Sequence, residues 1–300
     1  MVSNENIIRM QLINGFGRKT IAKILNYIDS QKITINDLSD IVKLINNIGI
    51  KRVKIDVKKI EEEAEKIFQC CEKGKIKIIG IYDEKYPEKL HCIDDKPLIL
   101  YIDGNVELLN EYNNIAIVGT RKPTQHGYEI SSILAEKLAE NNCCIVSGFA
   151  SGCDEAAHRG CLASKGKTIA VIPFGHYNIP KGNKVLYNMI LINQGTIVSE
   201  LPPNHRAEIH TFIERNRVIA AISEGVIIIE GGKKGGTSHT VKYANAYEKP
   251  VAYTSIEDTL TKEKQEDLFS KNKIHMINNF EDLNNFKANC KIKLDFVRLN

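Results

Sequence analysis

Apolar residues recur along the chain with two different periods, and the change of period divides it. Through residues 3–72 they fall at helical spacing, as in Ile7, Ile8 and Leu12, and again in Ile21, Ile24, Leu25 and Ile28. Positions three and four apart share one helix face. From residue 114 onward, short β-branched runs alternate with longer amphipathic ones. Runs 115–118, 143–146, 168–172, 196–199, 226–229 and 250–254 read as strands. Segment 127–140, with Ile130, Ile133, Leu134 and Leu138 on one face, reads as an intervening helix. Strands apolar on both faces and joined by helices predict a mostly parallel α/β sheet. Residues 274–277 add a last strand and 280–287 a last helix. Between the two regions, 76–79 and 98–101 look like strands, separated by the breakers Tyr86-Pro87 and Lys96-Pro97. The expected organisation is a small helical domain over 1–74, an α/β domain over 75–290 and a tail over 291–300.

Composition narrows this only a little. The 300 residues carry 41 Lys plus Arg against 37 Asp plus Glu, a net charge of +4. That is too balanced for a duplex-wrapping protein. No window approaches a membrane span, and residues 1–15 hold neither a long apolar stretch nor a small-residue cleavage site. The eight cysteines include no Cys-x-x-Cys pair, so no zinc site is expected. Cys143 and Cys144 sit in an apolar run, as reduced core thiols of a cytoplasmic protein would.

In an open parallel sheet, ligands bind beyond the carboxyl ends of the strands. The segments following the predicted strands are Gly119-Thr120-Arg121, then Ser147-Gly148-Phe149-Ala150-Ser151-Gly152, then a stretch holding Lys181 and Asn183. Glu200 and the run from Glu230 through Gly235, Gly236, Thr237 and Ser238 follow the later strands. Glycines admit close approach, while hydroxyls, helix N-termini and cations complement phosphate, so a phosphate-bearing ligand is expected at this edge. The plainer reading is that strand-to-helix turns need glycine and a capping residue anyway. Glu200 and Glu230 either take part in chemistry or accept loop N–H groups. Asp154 and His158 share a helix face and read as a helix cap and a partly buried polar residue, ahead of an acid–base pair. Residues 13–22 place Gly15 and Gly17 ahead of a new helix. That resembles a helix-hairpin-helix turn able to meet a phosphate, or else a connection that only packs.

Several labels fail. No Gly-x-Gly-x-x-Gly follows the first strand of the α/β region. Lys165-Gly166-Lys167-Thr168 mimics the end of a P-loop, but Cys161 stands where its first glycine belongs. No catalytic set, cofactor or metal site is expected.

Gly119-Thr120-Arg121-Lys122-Pro123-Thr124, Val146 through Asp154, Ala156-Ala157-His158-Arg159-Gly160 and Phe212 through Ala220 resemble, in order, the DNA-processing protein A family (DprA/Smf). The resemblance covers roughly residues 5–290. It implies an extended Rossmann-like domain behind a helical one, single-stranded DNA binding without catalysis, homodimerisation, and loading of a RecA-type recombinase during natural transformation. Carried over by position, it implies that Arg121 grips phosphate and that Gly119 and Thr120 flank that grip. Ser147, Gly148 and Gly152 would form a phosphate-contacting loop, with Lys181 and Asn183 lining the groove. Phe212 would meet a base, followed by Arg215, Asn216 and Arg217, with Gly236, Thr237 and Ser238 opposite. Ile209 stands where the family often has a lysine, and nothing after residue 290 is long enough for the winged-helix domain of some members.

The glycine run at 231–236 also resembles the LOG family, which cleaves a ribose–base bond. That chemistry implies a glutamate close behind the loop, whereas the next acidic residue after Thr237 is Glu248. A nucleotide-binding or nucleotide-hydrolysing protein is therefore the alternative.

Overall fold

In the computed structural model, residues 2–49, 55–110, 113–231, 235–254 and 275–298 are described, with side chains to Cys290. Four helices open the chain: α1 (Asn4–Gln11), α2 (Arg18–Ser30), α3 (Leu38–Ile48) and α4 (Val57–Gly74). Ser3, Asp37 and Asp56 cap α1, α3 and α4 by accepting backbone N–H groups of Asn6, Asp40 and Lys59. Gly49 ends α3 at φ +67°, a left-handed conformation that glycine adopts without a Cβ clash. The helical stripes bury Ile7, Ile8, Ile21, Ile24, Leu25 and Ile28 against one another, and this core runs on into Leu98, Ile99 and Tyr101 at the sheet edge.

The sheet follows: β1 (Lys77–Gly80), α5 (Glu88–His91), β2 (Ile99–Gly104), β3 (Asn114–Val118), α6 (Gln125–Glu140), β4 (Cys144–Ser147), α7 (Cys153–Ala163) and β5 (Thr168–Val171). Then come α8 (Lys184–Ile192), β6 (Thr196–Ser199), α9 (Ile209–Ile222), β7 (Gly225–Ile228), α10 (Gly236–Ala246), β8 (Val251–Thr254), β9 (His275–Ile277) and α11 (Phe280–Arg298). Strand order is β1-β2-β6-β5-β4-β3-β7-β8-β9. β2 is antiparallel to both its neighbours, and every pairing from β6 across to β9 is parallel. This is the expected α/β, Rossmann-like fold with a mostly parallel sheet. Strands lie within a residue or two of their expected limits, except that β2 runs three residues past its expected end, to Gly104. The last helix instead continues past 287 to Arg298, through most of the segment expected as a tail. Residue 274, expected to begin the last strand, lies outside the described residues.

Alternate residues of the central strands serve opposite faces, as a period of two requires. Ala116, Val118, Val226 and Ile228 pack with α9 and α10. Ile115, Ile117, Ile145 and Ile227 pack with α6, α7 and α11. Both faces are thus buried, which is why these strands read as unbroken apolar runs. From β3 the chain winds one way through β4, β5 and β6. It then crosses by α9 to β7 and winds the other way. The carboxyl ends of β3 and β7, neighbours whose following helices lie on opposite faces, therefore form the topological switch point.

Helices α6 and α7 approach closely. Ser131 Oγ donates to Cys153 O at 2.7 Å, and a Cβ on Gly160 would collide with the Ser132 carbonyl. That obstacle is backbone and cannot rotate away. Gly160→Ala is expected to cost about 1–3 kcal/mol in chemical denaturation, the range for forced overpacking. A change under about 0.5 kcal/mol, the scatter of ordinary surface substitutions, would contradict this packing.

Candidate nucleic-acid interface

The loops beyond β3, β4 and β7 are bonded to one another before any ligand is considered. Thr124 caps α6 by accepting the Gly127 N–H at 2.9 Å. Glu230, just past β7, accepts the Thr124 N–H at 3.0 Å and its hydroxyl at 2.6 Å. Of the two roles open to Glu230, the structure has it holding loops. Thr120 O accepts the Cys153 N–H at 3.2 Å. Gly152 sits at φ +86° with the Thr120 carbonyl and Pro123 ring where a Cβ would lie, and Gly119 similarly faces Cys153 Sγ. These glycines are required by loop-on-loop packing.

A cavity of about 410 Å³ opens at the switch point between these loops and α9. Gly119, Thr120, Arg121 and Lys122 form one wall, and Gly231, Gly235, Gly236 and Thr237 another. Phe212, Arg215, Asn216 and Ile219 present the α9 face at i, i+3, i+4 and i+7. The Arg121 guanidinium lies 4.6 Å from the centre of the Phe212 ring, a cation–π distance. Among the described residues no carboxylate reaches ion-pair distance of Arg121. Asn216 Nδ2 donates to Gly236 O at 3.2 Å, tying α9 to the start of α10. No acidic side chain occupies the first turn of α10 and no side chain caps it, so its leading N–H groups and positive dipole end face the cavity.

The floor is charged and buried. Arg215 is buried and donates through Nη1 to the carbonyls of Gly148 and Val171. Burial pulls its guanidinium down to about 10, opposed by the neighbouring Asp154 and assisted by Arg121. Burial raises the Asp154 carboxyl, and Arg215 opposes that shift. Asp154 lies in the first turn of α7, two residues past the N-cap Gly152 and not at the cap position expected for it, and accepts the Ala150 N–H at 3.4 Å. His158, expected to be partly buried, is fully buried, and burial followed by the Arg215 charge lowers it to about 3. Its Nδ1 lies 2.7 Å from Thr168 Oγ1, whose own proton goes to Ile145 O. Nδ1 must therefore be the protonated nitrogen of a neutral ring.

The crevice thus gathers Gly119, Thr120, Arg121, Phe212, Arg215, Asn216, Gly236 and Thr237. Other expected contacts lie elsewhere. Ser147 is buried and donates to Ile117 O at 2.6 Å, because it still belongs to β4. Gly148 is buried with Arg215 and Asp154 filling its Cβ space, and Gly152 is buried under the loop beyond β3. Arg217 is 0% exposed, on the far side of α9, where it grips Glu200. Its side chain reaches no surface groove, which corrects the expectation that it contacts ligand. Lys181 is exposed in a separate turn, Asn183 donates to Phe149 O at 3.2 Å, and Ser238 Oγ donates to Gly235 O. Residues 232–234 of the glycine run lie outside the described residues. Lys122, Ile213, Ile219 and Asp154 also line the cavity without having been expected there. The helical phase of α9, counted from Phe212, would have found Ile219.

A family model for DNA recombination-mediator protein A matches residues 77–287. The chain belongs to this family. DNA processing protein DprA of Bacillus subtilis is 33% identical over 200 residues, which cover 66% of this chain and 67% of that one. The match to Protein Smf of Synechocystis covers only 43% of that relative's length. The crystal structure of DNA processing protein A from Streptococcus pneumoniae superposes with a TM-score of 0.74 at 29% identity, covering 94% of this chain and 97% of that chain. A second, from Helicobacter pylori and described for its single-stranded DNA binding mode, superposes with a TM-score of 0.62 at 28% identity over 73% of this chain and 98% of that chain. The family match begins at β1, so the helices of 1–74 lie outside it, whereas the pneumococcal structure extends over nearly the whole chain.

The buried histidine has a consequence for stability. Its pKa of about 3 in the fold lies below the ordinary value near 6.5, so the unfolded chain binds the extra proton first. Its contribution is complete above about pH 6.5 and is lost as pH falls toward about 3. His176, also lowered by burial, acts in the same sense, and the raised Asp154 acts oppositely. His158→Gln should therefore flatten the loss of Tm between about pH 6.5 and 4. An unchanged pH dependence would contradict the buried neutral ring.

Proposed function

We propose that this chain binds single-stranded DNA at the switch-point crevice and performs no chemistry on it. The observation that carries the reading is Arg121. Its guanidinium stacks on Phe212 at the mouth of the cavity and has no carboxylate partner among the described residues. A stacked guanidinium keeps its N–H edge free for a phosphate, and the same aromatic offers a π-face that any base can use. The N-terminus of α10 adds donors across the cavity. Lys181 and Asn183 would extend the track for a longer strand. The Helicobacter relative, described by its single-stranded DNA binding mode, supports the ligand class.

The titratable groups near the crevice are engaged in structure. His158 is neutral and buried, Glu230 is held by Thr124, and Glu200 is held by arginines. This supports a binding protein over a nucleotide hydrolase, which needs a free carboxylate. The family's description as a recombination mediator supports a cytoplasmic protein that protects incoming strands and passes them to a RecA-type recombinase, as in natural transformation. Two copies pairing as a homodimer would place two crevices on one strand, raising affinity through effective concentration.

Titration with a fluorescent oligothymidylate, beside a duplex and a nucleoside monophosphate at one salt concentration, tests the reading. The single strand should bind at least about 10-fold tighter than the duplex, about 1.4 kcal/mol. No base should be released from the monophosphate. Equal affinity for both polymers, or base release lost in Glu230→Gln, would overturn it in favour of a nucleotide enzyme.

A further inference from the structure

Helix α9 has two occupied faces, and only one of them is the crevice. Phe212, Arg215 and Asn216 turn toward the cavity, while Glu214 and Arg217, three apart, share the opposite side. That opposite side is held by charge. Arg217 Nη2 lies 2.7 Å from both carboxylate oxygens of Glu200, and its Nε lies 3.3 Å from Asp95 Oδ2. Glu200 follows β6, so this bond fixes the helix to the sheet. A second guanidinium closes the cluster from the helical domain. Arg18, the first residue of α2, reaches Glu200 Oε1 at 2.8 Å, Glu200 Oε2 at 3.1 Å and Glu214 Oε2 at 3.2 Å. Arg18 belongs to the turn that resembles a helix-hairpin-helix. Its cation faces these carboxylates.

We propose that Arg18 is a positioning residue for the crevice: by bridging Glu200 and Glu214 it fixes the roll of α9, and with it the places of Phe212 and Asn216. The inference rests on the single-stranded DNA reading for its consequence, but its physical content is the order of α9. Rolling the helix would take Phe212 away from Arg121 and Asn216 away from Gly236. With Arg18 gone, the largely buried Glu200 has only Arg217 to balance it, and Glu214 loses its only ion pair among the described residues. The helical domain then acts on nucleic acid through a helix, without touching a phosphate by this side chain.

The chain contains no tryptophan, so Phe212→Trp introduces a single indole at the crevice. In the full chain without DNA, adding Arg18→Gln to that variant should raise acrylamide quenching of the indole and shift its emission to the red, with cooperative melting retained. With Phe212 intact, Arg18→Gln should weaken oligothymidylate binding by about five-fold or more, a typical coupling between sites. The slope of log affinity against log salt should stay unchanged, and Arg18→Lys should recover part of the loss. A folded Arg18→Gln protein with an unchanged indole environment and unchanged affinity would overturn the proposal. So would a slope reduced by about 0.7, which marks a lost phosphate contact on a single strand. If Arg18→Gln fails to fold, Glu214→Gln removes only the more exposed arm of the cluster and should shift quenching the same way; no shift there also overturns the proposal. Should the wild-type protein bind no oligothymidylate, the functional reading fails while the quenching comparison still decides the role of Arg18.

Discussion

Two arginines buried on opposite sides of α9 impose the constraint on which the crevice depends. A guanidinium keeps its charge, so taking it out of water demands fixed partners. Arg215 finds them in the carbonyls of Gly148 and Val171, at the ends of β4 and β5, and in Asp154, in the first turn of α7. Arg217 finds them in Glu200, at the end of β6, and in Asp95. The helix is thereby fastened to several strand ends at once. Its free stripe, headed by Phe212, is left facing the loop that carries Arg121. A site assembled this way is preorganised, because the elements that hold it have no alternative pairing of equal quality.

The same logic separates what could be read from the sequence from what could not. Strand positions were legible because burial on both faces enforces β-branched runs, and the ligand edge followed from topology. Arg121 was legible as a cation beyond a predicted strand, whereas Phe212 came only through the family resemblance, since it sits inside α9 and not in a loop beyond a strand. The roles of Arg215 and Arg217 were not, since residue type alone does not say whether a guanidinium points to a ligand or into the fold. Helical phase would have separated them, because Arg215 continues the stripe begun by Phe212 and Arg217 does not. The glycines have a second explanation of a related kind. Gly119, Gly148 and Gly152 are where neighbouring loops, or the Arg215 side chain, come too close for a Cβ, and a phosphate is not needed to explain them. Ser147 looked like a loop hydroxyl but ends a strand, one residue before the turn.

The charges at this edge divide into those the fold consumes and those it leaves over. Glu230, Glu200, Asp154, Arg18, Arg215 and Arg217 are consumed, each with a named partner inside the molecule. Arg121 is left over among the described residues, on the loop beyond β3, with the Phe212 ring against it. In a protein whose net charge is only +4, the proposed binding of a polyanion would rest on such placement rather than on bulk charge.

The salt dependence of oligothymidylate binding by Arg121→Ala tests this assignment most directly. Arg121→Ala is expected to keep a melting temperature close to wild type, with affinity lower by roughly 1.5–3 kcal/mol and a slope of log affinity against log salt reduced by about 0.7. A variant that melts earlier yet keeps the wild-type slope would show that Arg121 serves the fold, and would contradict the crevice as the DNA site.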